Sequence, residues 1–280
     1  MLSVCSLFIP ASSAGMVVAG LSLHPDSLIF DLEDAVSLEE KDAARELLRY
    51  ALPLFEGKNV AVRINAMDGC WEEDLQLAYN PVVKHIVVPK ADAQTIAAID
   101  SGLGKIGCDA KIAALIESPS SLENLDTIVQ ASPRLSALLL GGEDFCLSMG
   151  IERSVAGEEI FYARTRICSI AHANDLEVLD TPFPETDNSI DLEIDTRRAK
   201  NLGFTGKLAI SPHQIATIQR IFLPTEEDLQ WAQIVVAAAA DPANKGKGAF
   251  SVQGKMVDLP VIKRAERALA LGQSQGDWTV

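Results

Sequence analysis

Residues 111–117 read KIAALIE, and residues 135–141 read LSALLLG, followed at once by Gly142, Glu143 and Asp144. Neither run alternates, and each ends against charged residues. A strand with one wet face alternates polar and apolar residues. A run that is apolar throughout is a strand covered on both faces, as in a parallel sheet packed under helices. The same signature recurs at residues 4–10, 27–33, 60–65 and 85–90 before these two runs, and at 177–183 and 206–212 after them. Between the runs lie segments with helical spacing: 39–54, 72–79, 93–103, 121–131, 157–173 and 191–202. Strand–helix units of this length predict an α/β chain. Eight of them predict a (β/α)8 TIM-type barrel rather than the competing doubly wound open sheet.

The 280 residues are 48% hydrophobic, enough apolar material for one large core. The formal net charge is -15. Such a chain repels polyanions at long range, which excludes nucleic acid and acidic membrane surfaces as partners. An acidic substrate would then need a locally positive site, and a bound cation supplies one. Five cysteines lie far apart, without a Cys-x-x-Cys pair. That pattern argues against a zinc cluster and a disulfide framework, and it fits a reducing cytoplasm. The start of the chain carries no Lys, Arg, Asp or Glu before Asp26. Pro10, Ser12, Ser13 and Gly15 interrupt its apolar residues, so it reads as strand, loop and helix rather than as a signal peptide. No stretch reaches the ~18 apolar residues of a membrane span.

After Pro224 the pattern changes. An amphipathic helix is predicted over 225–240, then a loop rich in Gly and Lys over 241–255, then Met256, Val257 and Asp258, then a helix over 260–271. Residues 1–223 are therefore read as the catalytic barrel, and 224–280 as a helical extension, a lid or an arm contacting a neighbouring subunit.

Polar residues gather where the apolar runs end: Asp31, Glu33 and Asp34; Arg63 and Asn65; Lys90; Glu117; Glu143 and Asp144; Asp180. In a barrel of this kind the C-terminal strand ends form the rim that carries the active site. Residues far apart in sequence would thus meet at one mouth. Glu117 and Asp144 end adjacent strands and make an oxygen-only site with room for water and substrate, a magnesium arrangement more than a zinc one. The plainer reading of Asp144 is a helix cap. A buried Arg63 needs an anion, either a substrate carboxylate or Asp31 and Glu33. Lys90 reads as an ion-pair partner of the rim acids in preference to a Schiff-base lysine. Gly102, Gly104 and Gly107 match a dinucleotide-binding pattern, but they precede a strand instead of following one, so they read as a helix stop and loop.

These segments together resemble the citrate lyase β subunit and its HpcH/HpaI aldolase relatives, the citryl-, citramalyl- and malyl-CoA lyases. The matching stretches are SLFIP (6–10), FDLEDAV (30–36), RIN (63–65), Pro89–Lys90, IESP (116–119), GGED (141–144), YAR (162–164), LGFTGK (202–207) and GKMVD (254–258). They follow the family's order over nearly the whole chain. The resemblance implies magnesium held by Glu117 and Asp144, substrate bound by Arg63, and a substrate carboxylate received by backbone amides around Gly142 and Glu143. Asp31, Glu33 and Lys90 would support them. Asp258 would reach a neighbouring subunit's site as acid/base, within a homotrimer or hexamer. The implied reaction cleaves a citryl thioester, carried by CoA or an acyl-carrier protein, to oxaloacetate and acetyl thioester. Citrate lyase α and γ subunits are the implied partners. The alternatives are citramalyl-CoA or malyl-CoA cleavage, malyl-CoA thioester hydrolysis, and a non-catalytic subunit.

Overall fold

The computed structural model describes residues 2, 4–241, 243–244 and 247–276, with side chains to residue 272. All eight apolar runs form strands, and these close into one parallel barrel in sequence order. They are β1 (Cys5–Pro10), β2 (Ser27–Asp31), β3 (Val60–Arg63), β4 (Val83–Val88), β5 (Lys111–Ile116), β6 (Leu135–Leu140), β7 (Glu177–Asp180) and β8 (Gly206–Ala209). β1 closes the ring against β8, with Ser6 opposite Leu208. Each strand is buried on both faces, as its unbroken apolar run requires.

The connections are α1 (Ala14–Ala19), α2 (Lys41–Ala51), α3 (Trp71–Leu75), α4 (Ala93–Lys105), α5 (Pro119–Glu123), α6 (Leu125–Ile128), α7 (Gly142–Met149), α8 (Phe161–Ala173), α9 (Ser189–Leu202) and α10 (Pro212–Phe222). Their caps follow local chemistry. Ser13, Asp92, Ser118 and Asn188 each accept a first-turn N–H at the start of α1, α4, α5 and α9. Gly150 and Gly203 end α7 and α9 in the left-handed region.

Inside the barrel, Ile29, Ala61, Val87, Ala113, Leu115, Ala137, Leu139, Leu179 and Leu208 pack with Leu2 and Phe8. Alanines alternate with leucines there, and that mixture of sizes fills a narrow interior.

Two local expectations are corrected. The glycines at 102 and 104 do not stop a helix, because both lie within α4. A Cβ at Gly102 would sit 2.5 Å from Leu75 Cδ2, so glycine here permits close packing against α3. Only Gly107, at φ +65°, turns the chain. The Gly/Lys-rich segment is likewise not all loop, since it contains a strand described below.

The chain divides into two compact units, Met1–Gln219 and Arg220–Val280. The second contains α11 (Glu226–Ala240), β9 (Ala249–Val252), β10 (Lys255–Asp258) and α12 (Leu259–Gly276). Strands β9 and β10 are antiparallel, with Lys255 opposite Val252. The two turn residues, Gln253 and Gly254, both have positive φ, which matches the right-handed twist of a hairpin. Ala232, Val235, Val252, Val257 and Ala265 form the core of this unit, and the Lys255 ammonium lies 4.8 Å over the Trp231 ring.

Candidate active site

The alternation that fills the barrel also decides which strand-end side chains enter its mouth. Ile29, Ala61, Leu115, Leu139, Leu179 and Leu208 point inward. Two residues further along each strand stand Asp31, Arg63, Glu117, Gly141, Thr181 and Ile210, and all six line one cavity of about 440 Å³. Asp34, Gly142, Glu143 and Asp144 share its wall.

Arg63 is held as a rigid plate. Its Nε and Nη2 donate to the two carboxylate oxygens of Asp31 at 2.7 and 2.6 Å, a bidentate fork. Its Cζ stacks 5.1 Å from the Phe8 ring centre. Nη1 lies 2.9 Å from Glu33 Oε2 and donates more weakly to exposed Asp34, at 3.3 Å. Burial alone would lower the guanidinium's pKa. Hydrogen bonds to Asp31 and the charges of Asp31, Glu33 and Asp34 outweigh it and raise the pKa. The loop carrying these acids is tied down from behind, where the buried Lys41 ammonium donates to the carbonyls of Leu32 and Glu33.

Glu117 is positioned by main chain. The Lys90 N–H donates to Glu117 Oε1 at 2.6 Å, from a backbone at φ +47°. That conformation costs a non-glycine residue on the order of 1 kcal/mol and persists where the surroundings enforce it. Glu117 Oε2 is buried with no hydrogen-bond partner. A Cβ on Gly141 would lie 2.6 Å from Glu117 Cβ and 2.8 Å from Oε2, so glycine at 141 is what admits the carboxylate. Burial, reinforced by the charge of Glu33, pushes the Glu117 carboxyl up to about 8. Burial pushes Glu33 up to about 7, although Arg63 opposes the shift. Both Glu33 oxygens lack an aligned donor, so its approach to Arg63 is an ion pair without a hydrogen bond. Asp144 is raised by burial and then by the charge of Asp34, against Arg63, Lys90 and a contact with the Glu117 carboxyl, a contact two carboxylates make only by sharing a proton or a cation.

The mouth therefore crowds acids beyond what Arg63 and Lys90 neutralise, and leaves a buried carboxylate oxygen unpaired. A hard divalent cation answers both conditions. No histidine lines the cavity. Among the described residues, no group of three or more His, Cys, Asp or Glu forms a metal cage. Glu117 and Asp144 would thus supply a partial, oxygen-only shell, with substrate and water completing it.

The structure brings Arg63, Asp31, Glu117, Gly142, Glu143 and Asp144 together around this cavity. Glu33 packs beside Arg63 without lining it. The Lys90 ammonium is mostly exposed and 3.9 Å from Glu33, so this lysine serves the site through its backbone. Two rim expectations are corrected. Asp180 points outward, because Leu179 points in, and it is buried in ion pairs with Arg164 and Lys207. Asn65 is turned away as well, donating through its backbone and side chain to Asp74 Oδ2 at 2.8 and 2.6 Å. Asp258 belongs to the C-terminal unit, where its Oδ1 accepts from Val261 N and caps α12. The Gly142 N–H donates to Thr181 Oγ1 at 3.0 Å. Thr181 was not anticipated from the sequence, although counting alternation on from Leu179 would have found it.

Residues 5–212 match the HpcH/HpaI aldolase/citrate lyase family. The chain is 35% identical over 279 residues to the citrate lyase subunit beta of Haemophilus influenzae, covering 96% of each. It is 30% identical to the mitochondrial citramalyl-CoA lyase of Mus musculus, covering 96% of this chain and 85% of that one. A structure of protein CitE from Mycobacterium tuberculosis, in complex with magnesium, acetoacetate and coenzyme A, is 27% identical with a TM-score of 0.78. That match covers 97% of this chain and 98% of the other. The chain belongs to the HpcH/HpaI aldolase/citrate lyase family.

Proposed function

We propose that this protein is a magnesium-dependent carbon–carbon lyase that cleaves a citryl thioester to oxaloacetate and acetyl thioester. The observation that carries the reading is the unpaired Oε2 of buried Glu117, on the strand next to the one Asp144 follows, in a cavity walled on the far side by Arg63. Glu117 and Asp144 would hold the metal. The chemistry magnesium supplies there is Lewis-acid polarisation of the substrate's hydroxyl oxygen.

The chain's own residues do the rest. Arg63, fixed by Asp31 and Phe8, binds the keto-acid carboxylate by displacing its weakest partner, Asp34. The Lys90 N–H fixes Glu117 through Oε1 and leaves Oε2 without a donor, available to a metal. In the reaction the substrate hydroxyl gives its proton to the Asp258 carboxylate of a neighbouring subunit, acting as general base, and becomes a carbonyl. The electron pair of the carbon–carbon bond passes to the acyl α-carbon, which takes up one proton. Asp258 from a neighbouring subunit is the proposed donor, as general acid. That assignment requires an oligomer, proposed as a homotrimer or hexamer with the C-terminal unit as the contacting arm. Citrate lyase α and γ subunits are proposed partners, and CoA or an acyl-carrier protein is the proposed carrier. All five cysteines are free, which supports a cytoplasmic setting. No described helix is long and apolar enough to cross a membrane.

Cleavage of citramalyl-CoA is the second reading, favoured by the mouse relative's name. Calorimetry of the purified chain tests the site: oxaloacetate or pyruvate should bind only with magnesium present, and binding that ignores EDTA would refute the metal assignment.

A further inference from the structure

Arg153 lies between α7 and α8, and no sequence motif drew attention to it. Its side chain is only 6% exposed, and it stands behind the cavity wall, touching lining residues without lining the cavity itself. Its Nη1 donates to three groups on the cavity wall: Glu143 Oε1 at 3.0 Å, Thr181 Oγ1 at 3.2 Å and the Pro182 carbonyl at 3.0 Å. Its Nε is buried with no acceptor. A desolvated guanidinium with an unspent donor calls for an anion.

The anion beside it now is the protein's own. Glu143 lines the cavity, and its side chain is 63% exposed, so it is free to swing into solvent. An exposed carboxylate holds such a bond weakly. Thr181 adds a second feature. Its Oγ1 accepts from both Gly142 N and Arg153 Nη1, which occupies its two lone pairs and leaves its own hydrogen to donate.

Place in the barrel says what this corner meets. Thr181 follows β7, and Arg63 ends β3, four strands away in a ring of eight. The two therefore face each other across the mouth, with Glu117 and Asp144 on the strands between. A substrate gripped by Arg63 at one carboxylate and centred on those two acids extends its remaining arm toward Thr181. That arm is a carboxymethyl group in a citryl thioester, a methyl in citramalyl and a hydrogen in malyl.

We propose that Arg153, with Thr181, binds the second carboxylate of the keto-acid half, which displaces Glu143, and that this exchange selects a dicarboxylic keto acid over a monocarboxylic one. The inference rests on the lyase reading for the substrate's orientation. A phosphate of the thioester carrier offers the same kind of anion, and the test separates the two sources.

The experiment compares wild type, Arg153→Gln, Arg153→Lys and Glu143→Gln in saturating magnesium. It measures kcat/KM for citryl-CoA and citramalyl-CoA, and calorimetric binding of free oxaloacetate and pyruvate. Losing a buried charged hydrogen bond should lower the citryl-to-citramalyl ratio of Arg153→Gln by about 100-fold. Arg153→Lys should recover part of that ratio. The oxaloacetate preference should fall in parallel, although no carrier is present. Glu143→Gln removes the internal competitor and should tighten oxaloacetate binding several-fold, a gain that a merely structural ion pair would not produce. An equal loss on both thioesters, whether or not free oxaloacetate binding holds, overturns the proposal, and intact oxaloacetate binding in that case assigns Arg153 to the carrier. If wild type cleaves neither thioester but prefers oxaloacetate in an Arg153-dependent way, the subsite stands and the lyase reading falls. If wild type binds neither keto acid, both fall.

Discussion

Two charged clusters sit within a few residues of each other in this barrel, and they are built on opposite terms. Arg164, Asp180, Asp195 and Lys207 lie behind β7 and β8, between the sheet and its helices. Two cations meet two anions there: Arg164 with both aspartates at 2.9 and 2.7 Å, and Lys207 with both at 2.6 and 2.7 Å. The Arg164 guanidinium bonds Asp180 through two nitrogens. The cluster is balanced in charge and buried, although Arg164 Nη1 has no acceptor, and its lysine also donates to the Thr181 carbonyl at 2.7 Å. The mouth cluster has more acids than cations, an unpaired Glu117 oxygen and carboxyls pushed upward. A set of charges that neutralises itself holds structure. One that leaves a deficit is completed by something from outside.

The contrast can be broken from either side. The largest expected effect is on catalysis: Glu117→Ala should cost at least about 10⁴-fold in kcat, roughly 5.5 kcal/mol. The same variant should lose no more than about 1 kcal/mol of stability in urea unfolding, since the lost carboxylate had only one oxygen satisfied. A stability loss of several kcal/mol would move Glu117 into the structural class. Arg164→Met should do the reverse, costing about 3–5 kcal/mol by leaving Asp180 and Asp195 buried with one cation. Activity per folded molecule should survive better than stability does.

Asp258→Asn should slow turnover about 100-fold with little change in keto-acid binding, as removal of a general acid does. Mixing it with Glu117→Ala should restore activity if the two residues meet across subunits. Continued inactivity of the mixture would remove Asp258 from a neighbour's site. The smallest effect is the acid limb. Lys207 and Arg164 hold the Asp195 carboxyl down at about 2, against burial, from an ordinary value of 3.8. A depressed carboxyl stabilises the fold above its unfolded pKa, and that contribution fades as pH falls through the folded value. The urea midpoint should therefore drop between about pH 4 and pH 2, and that drop should shrink in Asp195→Asn.

The same contrast shows what the sequence could reveal. The eight strands were legible because burial on both faces leaves unbroken apolar runs, and Arg63, Glu117 and Asp144 because charges stood at their ends. Asp180 stood at such an end too and was misplaced, because position along a strand says nothing about side without counting alternation from an interior neighbour. Thr181 was passed over for the same reason in reverse. The β9–β10 hairpin was hidden by a Gly- and Lys-rich composition that reads as loop, although Gln253–Gly254 suits a tight turn. Arg153 left no mark at all. Its partner Glu143 lies across α7 in the same connection, while Thr181 comes from the next strand end, and only folding brings the three together.

The central claim is that the deficit at the mouth is filled by a metal that serves carbon–carbon cleavage. A coupled assay tests it most directly, offering citryl-, citramalyl- and malyl-CoA to the purified chain with magnesium or EDTA and following oxaloacetate, pyruvate and glyoxylate. The account predicts oxaloacetate release from citryl-CoA that EDTA abolishes and Glu117→Ala lacks. Release that persists in EDTA, or at full rate in Glu117→Ala, would contradict it.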